Sequence, residues 1–179
     1  MAIRGCEDIG MDWWKQIFEA FKVADIRQVA YVPDAGHAAL IDACTADQGI
    51  HALAMTTEEE GVSLLAGAWL GGVRGALLMQ SSGVGNCINM FSLASTCRFP
   101  LPVFVTMRGQ WQEFNPWQQA MGESAERHLR TSGFQCQTAA SADDVGPMTT
   151  ATLDTAFTDD GMAALLLHQS LMPVKTFDQ

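Results

Sequence analysis

The chain has 179 residues, of which 48% are hydrophobic and 17% charged, with 20 acids against 10 bases and a formal net charge of −10. That length suits one full domain, and the composition supports a packed core rather than disorder. The acidic balance argues against a nucleic-acid partner and against an anionic membrane surface.

The longest apolar runs, such as 101–105 and 163–167, are far shorter than a membrane span. The start, "MAIRGCEDIGMDWW", lacks the basic opening and apolar core of a signal peptide. A soluble, cytoplasmic protein is the expectation. Cysteines stand at 6, 44, 87, 97 and 136, with no C-x-x-C pair. They read as buried thiols in a reducing compartment, with no disulfide framework and no metal site.

In chain order, apolar residues at helical spacing in 11–24 (Trp13, Trp14, Ile17, Phe18, Phe21) predict a first helix. A β-like run over 27–32 stops at Pro33. Helices follow over 36–46, 58–70, 85–98, about 123–131 and 143–157. Strands are predicted at 50–55, 75–80, 101–107, 134–139 and 162–169. The strands alternate with helices and are apolar throughout rather than at every second residue. That pattern predicts a single α/β domain over 1–179, doubly wound, with about six mostly parallel strands flanked by helices. Ligands of such sheets bind beyond the carboxyl ends of the strands. The loops 33–37, 56–60, 80–86 and 107–117 are therefore the candidate site.

"MQSSGVGN" (79–86) ends a strand and opens a helix. Ser82, Gly83 and Gly85 permit tight backbone geometry and could present N–H groups to an anion. The loop is neither a Walker loop nor a full G-x-G-x-x-G, so a packing turn competes with an anion site. "TTEEEG" (56–61) places Thr57 as a helix N-cap and Glu60 at the third position of a capping box. The helix dipole suits Glu59 and Glu60, but capping does not need Glu58. A carboxylate just past a strand end stands at the mouth of the sheet.

Four segments agree in order and spacing with a known family. Glu58 is followed nine residues later by Gly67 in an alanine-rich stretch, and Ser82-Gly83-Val84-Gly85 follows the next strand. "FPLPVFVTMRG" comes after these. The chain resembles the pyrimidine-binding (PYR) domain of thiamine diphosphate enzymes, over roughly 29–122. "EEEGVSLLAGAWLGG" and "LMQSSGVGN" resemble most the sulfopyruvate decarboxylase α subunits and phosphonopyruvate decarboxylases. Ser81 departs from that subgroup's usual Asn, and 108–123 is richer in tryptophan than expected.

The resemblance implies that Glu58 hydrogen-bonds N1′ of the cofactor's aminopyrimidine and so activates it for loss of CO2 from a 2-oxo acid. It implies that Ser82, Gly83, Val84 and Asn86 help bind the cofactor. The subgroup's "VPD" places Asp34 on the substrate side. His37 is a candidate proton donor or substrate contact, with a solvent-facing helix start as the alternative. Arg108 is a candidate for an acidic substrate group, a subunit contact or a surface ion pair. Trp111, Phe114 and Trp117 are read first as an interface. No Gly-Asp-Gly diphosphate motif occurs. The resemblance therefore implies a separate β subunit that supplies the diphosphate-binding half and most of the hold on Mg2+, in an α2β2 or larger assembly. An aromatic or other 2-oxo acid, a stand-alone nucleotide- or anion-binding module, and a non-catalytic structural subunit remain the alternatives.

Overall fold

The computed structural model describes residues 12–158 and 160–173. Six strands form one sheet: β1 (Ile26–Tyr31), β2 (His51–Ala54), β3 (Arg74–Gln80), β4 (Leu101–Thr106), β5 (Gln135–Ala139) and β6 (Met162–Leu167). Their order is β2-β1-β3-β4-β6-β5, and every pairing is parallel. The described helices are α1 (Trp13–Val23), α2 (Ala38–Ala46), α3 (Glu58–Leu70), α4 (Ser81–Cys87), α5 (Phe91–Cys97), α6 (Gln119–Thr131) and α7 (Ala142–Thr158).

The apolar strands explain this arrangement. Every residue of β4 and β6 is buried. A strand without a polar side needs cover on both faces, which crossover helices supply. On β4, Leu101, Val103 and Val105 enter the core covered by α3, α4, α5 and α6. Phe104 points the other way, into the core formed with α1, α2 and α7, where it meets Phe21 edge-on at 5.1 Å. Helices on both faces of an all-parallel sheet give the doubly wound α/β architecture read from the sequence.

Two local differences affect the site. The helix expected over 85–98 is two helices, and the first starts at Ser81, directly after β3. The break follows from Ser92, whose hydroxyl donates to the Asn89 carbonyl at 2.6 Å. Its own N–H donates to the same oxygen at 3.2 Å, which closes a separate turn there. Helix α6 begins at Gln119, about four residues earlier than its polar face suggests.

Cys44 and Cys87 are fully buried, and burial pushes both thiols up to about 12, so neither forms thiolate near neutrality. Cys97 is exposed, against the expectation of buried thiols, and Cys6 lies outside the described residues. Among the described residues no helix is long and apolar enough to cross a membrane.

One contact fixes the loop after β4. A Cβ on Gly122 would fall 2.0 Å from the Arg108 carbonyl oxygen, so backbone lies directly on backbone where α6 crosses that loop. Gly122→Ala should cost at least about 2 kcal/mol, since main chain cannot yield as a side-chain tip can. Thermal unfolding should fall by roughly 4–8 °C. An unchanged midpoint would show that the loop is free to move off α6.

Candidate active site

The parallel sheet sends all its carboxyl ends to one edge, and the candidate residues gather there. Glu58 is the first residue of α3 and only 7% exposed, whereas Glu59 and Glu60 are exposed. Asn86 donates through Nδ2 to Glu58 Oε2 at 2.7 Å. Gly83 lies against the same carboxyl group, since a Cβ there would stand 2.5 Å from Oε1. Oε1 accepts no hydrogen bond among the described residues. The three glutamates thus differ in role. Glu60 caps the helix, with Oε2 accepting from the Thr56 N–H at 2.8 Å, one residue before the pattern expected of a capping box. The Thr57 side chain makes no capping bond.

The Ser82–Asn86 segment sits in α4, a seven-residue helix packed against Glu58. Val84 is fully buried in the core, and Ser82 donates to Gln80 Oε1 at 3.1 Å. An anion seated on Gly83 would stand against the Glu58 carboxylate, which disfavours the nucleotide- or anion-binding alternative.

Asp34, just past β1, is tied to three strands. Oδ1 accepts from Gln80 Nε2 at 2.8 Å. Oδ2 accepts from Thr106 Oγ1 at 2.6 Å and from the Gly36 N–H at 3.1 Å. Gln80 and Thr106 are the last residues of β3 and β4. The sequence reading missed both. Their signal was their place: each is a polar residue closing an apolar run at a strand's carboxyl end.

His37 is 1% exposed and forms no part of the pocket wall described below. Its Nε2 lies 3.1 Å from the Phe104 carbonyl, and its Nδ1 has no partner. Burial lowers its pKa from the usual 6.5, opposed by the Asp34 charge and by the carbonyls of Phe104 and Met79. Met79 acts here only through space, since Nδ1 is not hydrogen-bonded. His37 is therefore a neutral, buried imidazole near neutral pH, and the solvent-facing alternative does not hold.

Arg108 follows β4 and is taken up by a residue that the sequence reading did not single out. Its Nε donates to Glu113 Oε2 at 2.7 Å, and its Nη2 donates to Glu113 Oε1. Glu113 also accepts from the N–H groups of Gly109 and Asn115 and from Gln169 Nε2. The Arg108 guanidinium holds the Glu113 carboxyl at about 2, well below the usual carboxylate range, with those N–H bonds adding to the effect against its burial. A signal existed: Glu113 is the only charged residue between Arg108 and Glu123.

Asp34 and Arg108 border one pocket of about 360 Å3, with Trp13 and Trp14 of α1, Trp111 and Leu171 among its walls. Trp111, Phe114 and Trp117 are 40%, 49% and 83% exposed on the same loop. Among the described residues, no three His, Cys, Asp or Glu side chains group as a metal site.

The fold has a counterpart among solved structures. The 2-oxoglutarate:ferredoxin oxidoreductase of Magnetococcus marinus superposes with a TM-score of 0.69 at 12% identity. The match covers 89% of this chain and 29% of that one. The sulfopyruvate decarboxylase subunit alpha of Methanothermobacter thermautotrophicus is 31% identical over 151 residues, 82% of this chain and 92% of its own length. The subunit of the same name from Methanococcus maripaludis is 34% identical over 116 residues, 64% of this chain and 70% of that one. No family model matches the chain. Fold and sequence together define the class: the α subunit of a decarboxylase, with a fold of the thiamine diphosphate enzyme type. Within that class, the chain belongs to the sulfopyruvate decarboxylase subunit alpha family.

Glu113 also gives a pH signature. Its folded-state pKa lies below the ordinary value, so its contribution is complete above pH 5 and is lost as pH falls towards about 2. Glu113→Gln should therefore be less stable than the parent at pH 7, by about 2 kcal/mol. The gap should narrow steadily between pH 5 and pH 3 in urea unfolding. A gap independent of pH would remove the Arg108 pairing as its source.

Proposed function

We propose that this chain is the pyrimidine-side half of a thiamine diphosphate-dependent 2-oxo acid decarboxylase, completed by a β subunit. The Glu58 carboxyl carries the proposal. It is buried and held by Asn86, with Oε1 open at the carboxyl edge of a parallel sheet. The residues fit the cofactor in two respects. An unclaimed carboxyl oxygen suits a ring nitrogen that must share a proton. Gly83 gives the Glu58 carboxyl the room to sit there, since a Cβ would fall 2.5 Å from Oε1.

When bound, the cofactor supplies an electron sink for loss of CO2. Glu58 holds and exchanges the proton at Oε1. Asn86 fixes the other oxygen, so that the carboxyl keeps one orientation. Ser82 and Gly83 shape the floor beside it, and Val84 supports that floor from the core. Asp34 and Arg108 make up the substrate side, and His37, buried out of the pocket, does not contact substrate there. The chain supplies one PYR-type domain, and the partner supplies the diphosphate site with its Mg2+. Trp111, Phe114 and Trp117 serve the joint between chains, since Trp117 is 83% exposed on this edge. An α2β2 or larger assembly fits that division, and the cytoplasm is the location proposed for it. The substrate is a small 2-oxo acid.

Glu58→Gln keeps the size and the Asn86 contact but cannot exchange the proton. In the α–β complex, decarboxylation should fall by about 10²–10⁴-fold, the usual worth of a positioned acid or base. Thiamine diphosphate should still bind, as followed by quenching of tryptophan fluorescence. Full activity in the variant would leave Glu58 as a capping charge and the chain as a structural subunit.

A further inference from the structure

We propose that Gln169 is a positioning residue for the partner interface: with Glu113 it clasps the 108–117 loop in one conformation, and the β subunit docks on that ready-made loop. This rests on the decarboxylase proposal above, which supplies the partner.

The loop between β4 and the turn at Pro116–Gln118 contains neither helix nor strand. Two side chains meet its backbone N–H groups instead. Gln169 Oε1 accepts from the N–H groups of Gln110 at 2.8 Å and Trp111 at 3.1 Å. Glu113 accepts from those of Gly109 at 3.1 Å and Asn115 at 2.9 Å. The two side chains are themselves joined, since Gln169 Nε2 donates to Glu113 Oε2 at 2.9 Å. The Gln169 N–H closes the clasp on Gln110 Oε1 at 3.2 Å. Arg108 anchors it at the strand end through Glu113, whose side chain is only 4% exposed. Gln112 is held at φ 47°, a left-handed backbone that a residue with a side chain keeps only when its surroundings impose it. Gln169 stands in a short turn, Gln169–Leu171. The end of that turn is tied to α1, where the Trp13 indole N–H donates to the Leu171 carbonyl at 3.1 Å. The clasp thus draws on β4, on the segment after β6 and on α1.

What this fixed loop displays is apolar: Trp111, Phe114 and Trp117 are its large exposed side chains. An unsupported loop would lose its conformational freedom on docking, and affinity would fall by that cost. Where only a fraction of the free chain holds the binding form, apparent affinity drops by that fraction, and the loss is read as slower association. Two observations point to the β subunit as the occupant. The loop lies on the same sheet edge as the open Oε1 of Glu58, so a subunit that completes that site meets this loop. A second copy of this chain would instead bring another net charge of −10 to that edge.

The test is the kinetics with which the full α chain and the β subunit associate, followed by surface binding. Gln169→Leu should slow association about tenfold and leave dissociation within about twofold of the parent, since the docked loop makes the same contacts. Trp117→Ala, which removes a contact, should do the reverse and raise the dissociation rate about fivefold. Gln169→Glu keeps both accepted N–H bonds but sets a carboxylate against Glu113. It should slow association about threefold, which keeps the test decisive if Gln169→Leu misfolds. Parental association in both Gln169 variants overturns the inference, as does an effect confined to dissociation. Sedimentation of the α chain as a dimer that Trp117→Ala splits would assign the face to a second copy and also overturn it. Parent chains that associate and show the Gln169 effect, but bind no thiamine diphosphate, overturn the decarboxylase proposal alone. A parent complex that binds the cofactor and is indifferent to both Gln169 changes overturns this inference alone.

Discussion

All six strands run in one direction, and the rest of the molecule depends on that constraint. Parallel pairing sends every strand's carboxyl end to the same edge and leaves no polar side to the central strands. The chain leaves β1 for β2 on one side and returns with β3 on the other. A crevice opens where the order reverses. Asp34 follows β1 and Gln80 ends β3, and their hydrogen bond spans that crevice. Through Ser82 the same Gln80 reaches the helix that packs on Glu58. The Asp34 and Glu58 ends of the crevice are thus linked through Gln80 and Ser82.

Charge is distributed unevenly along this edge. At Glu58 the helix start and Asn86 leave one oxygen open. At Arg108 and Glu113 the charges are matched and surrounded by donors, so that pair organises the loop and is not a free recognition group. One buried carboxyl is left available and the other is used up, and the difference lies in their neighbours. His37 adds a third arrangement, an imidazole kept neutral by burial beneath the loop that carries Asp34.

The sequence made most of the architecture legible. Apolar runs cannot alternate faces, so a buried parallel sheet followed from strands such as 101–107 and 162–169. Observed strand limits fall within about two residues of the expected ones on most elements, while the edge strand β2 is shorter because only Ala52 and Leu53 are half-covered. The inward turn of Glu58 was also legible, because capping accounts for the other two glutamates and not for it. Other features depend on distance in space. At the split of α4 from α5 the Ser92 hydroxyl and N–H both close on the Asn89 carbonyl. The burial of His37 depends on Phe104, 67 residues away. The claim of Glu113 on Arg108 was open to a charge count, yet the donors that complete its shell include Gln169, beyond β6 and 56 residues away.

The contact of Gly122 with the Arg108 carbonyl has a consequence for how this family member could diversify. Both ends of the tryptophan-bearing loop are clamped, one by β4 and the other by helix α6 lying bare against it. Residues 110–118 therefore lie between two fixed posts, with Glu113 as an inner tie to Arg108. Exposed side chains there, such as Trp117, can be exchanged while the carboxyl edge of the sheet keeps its geometry. One glycine outside the pocket keeps its two ends in place.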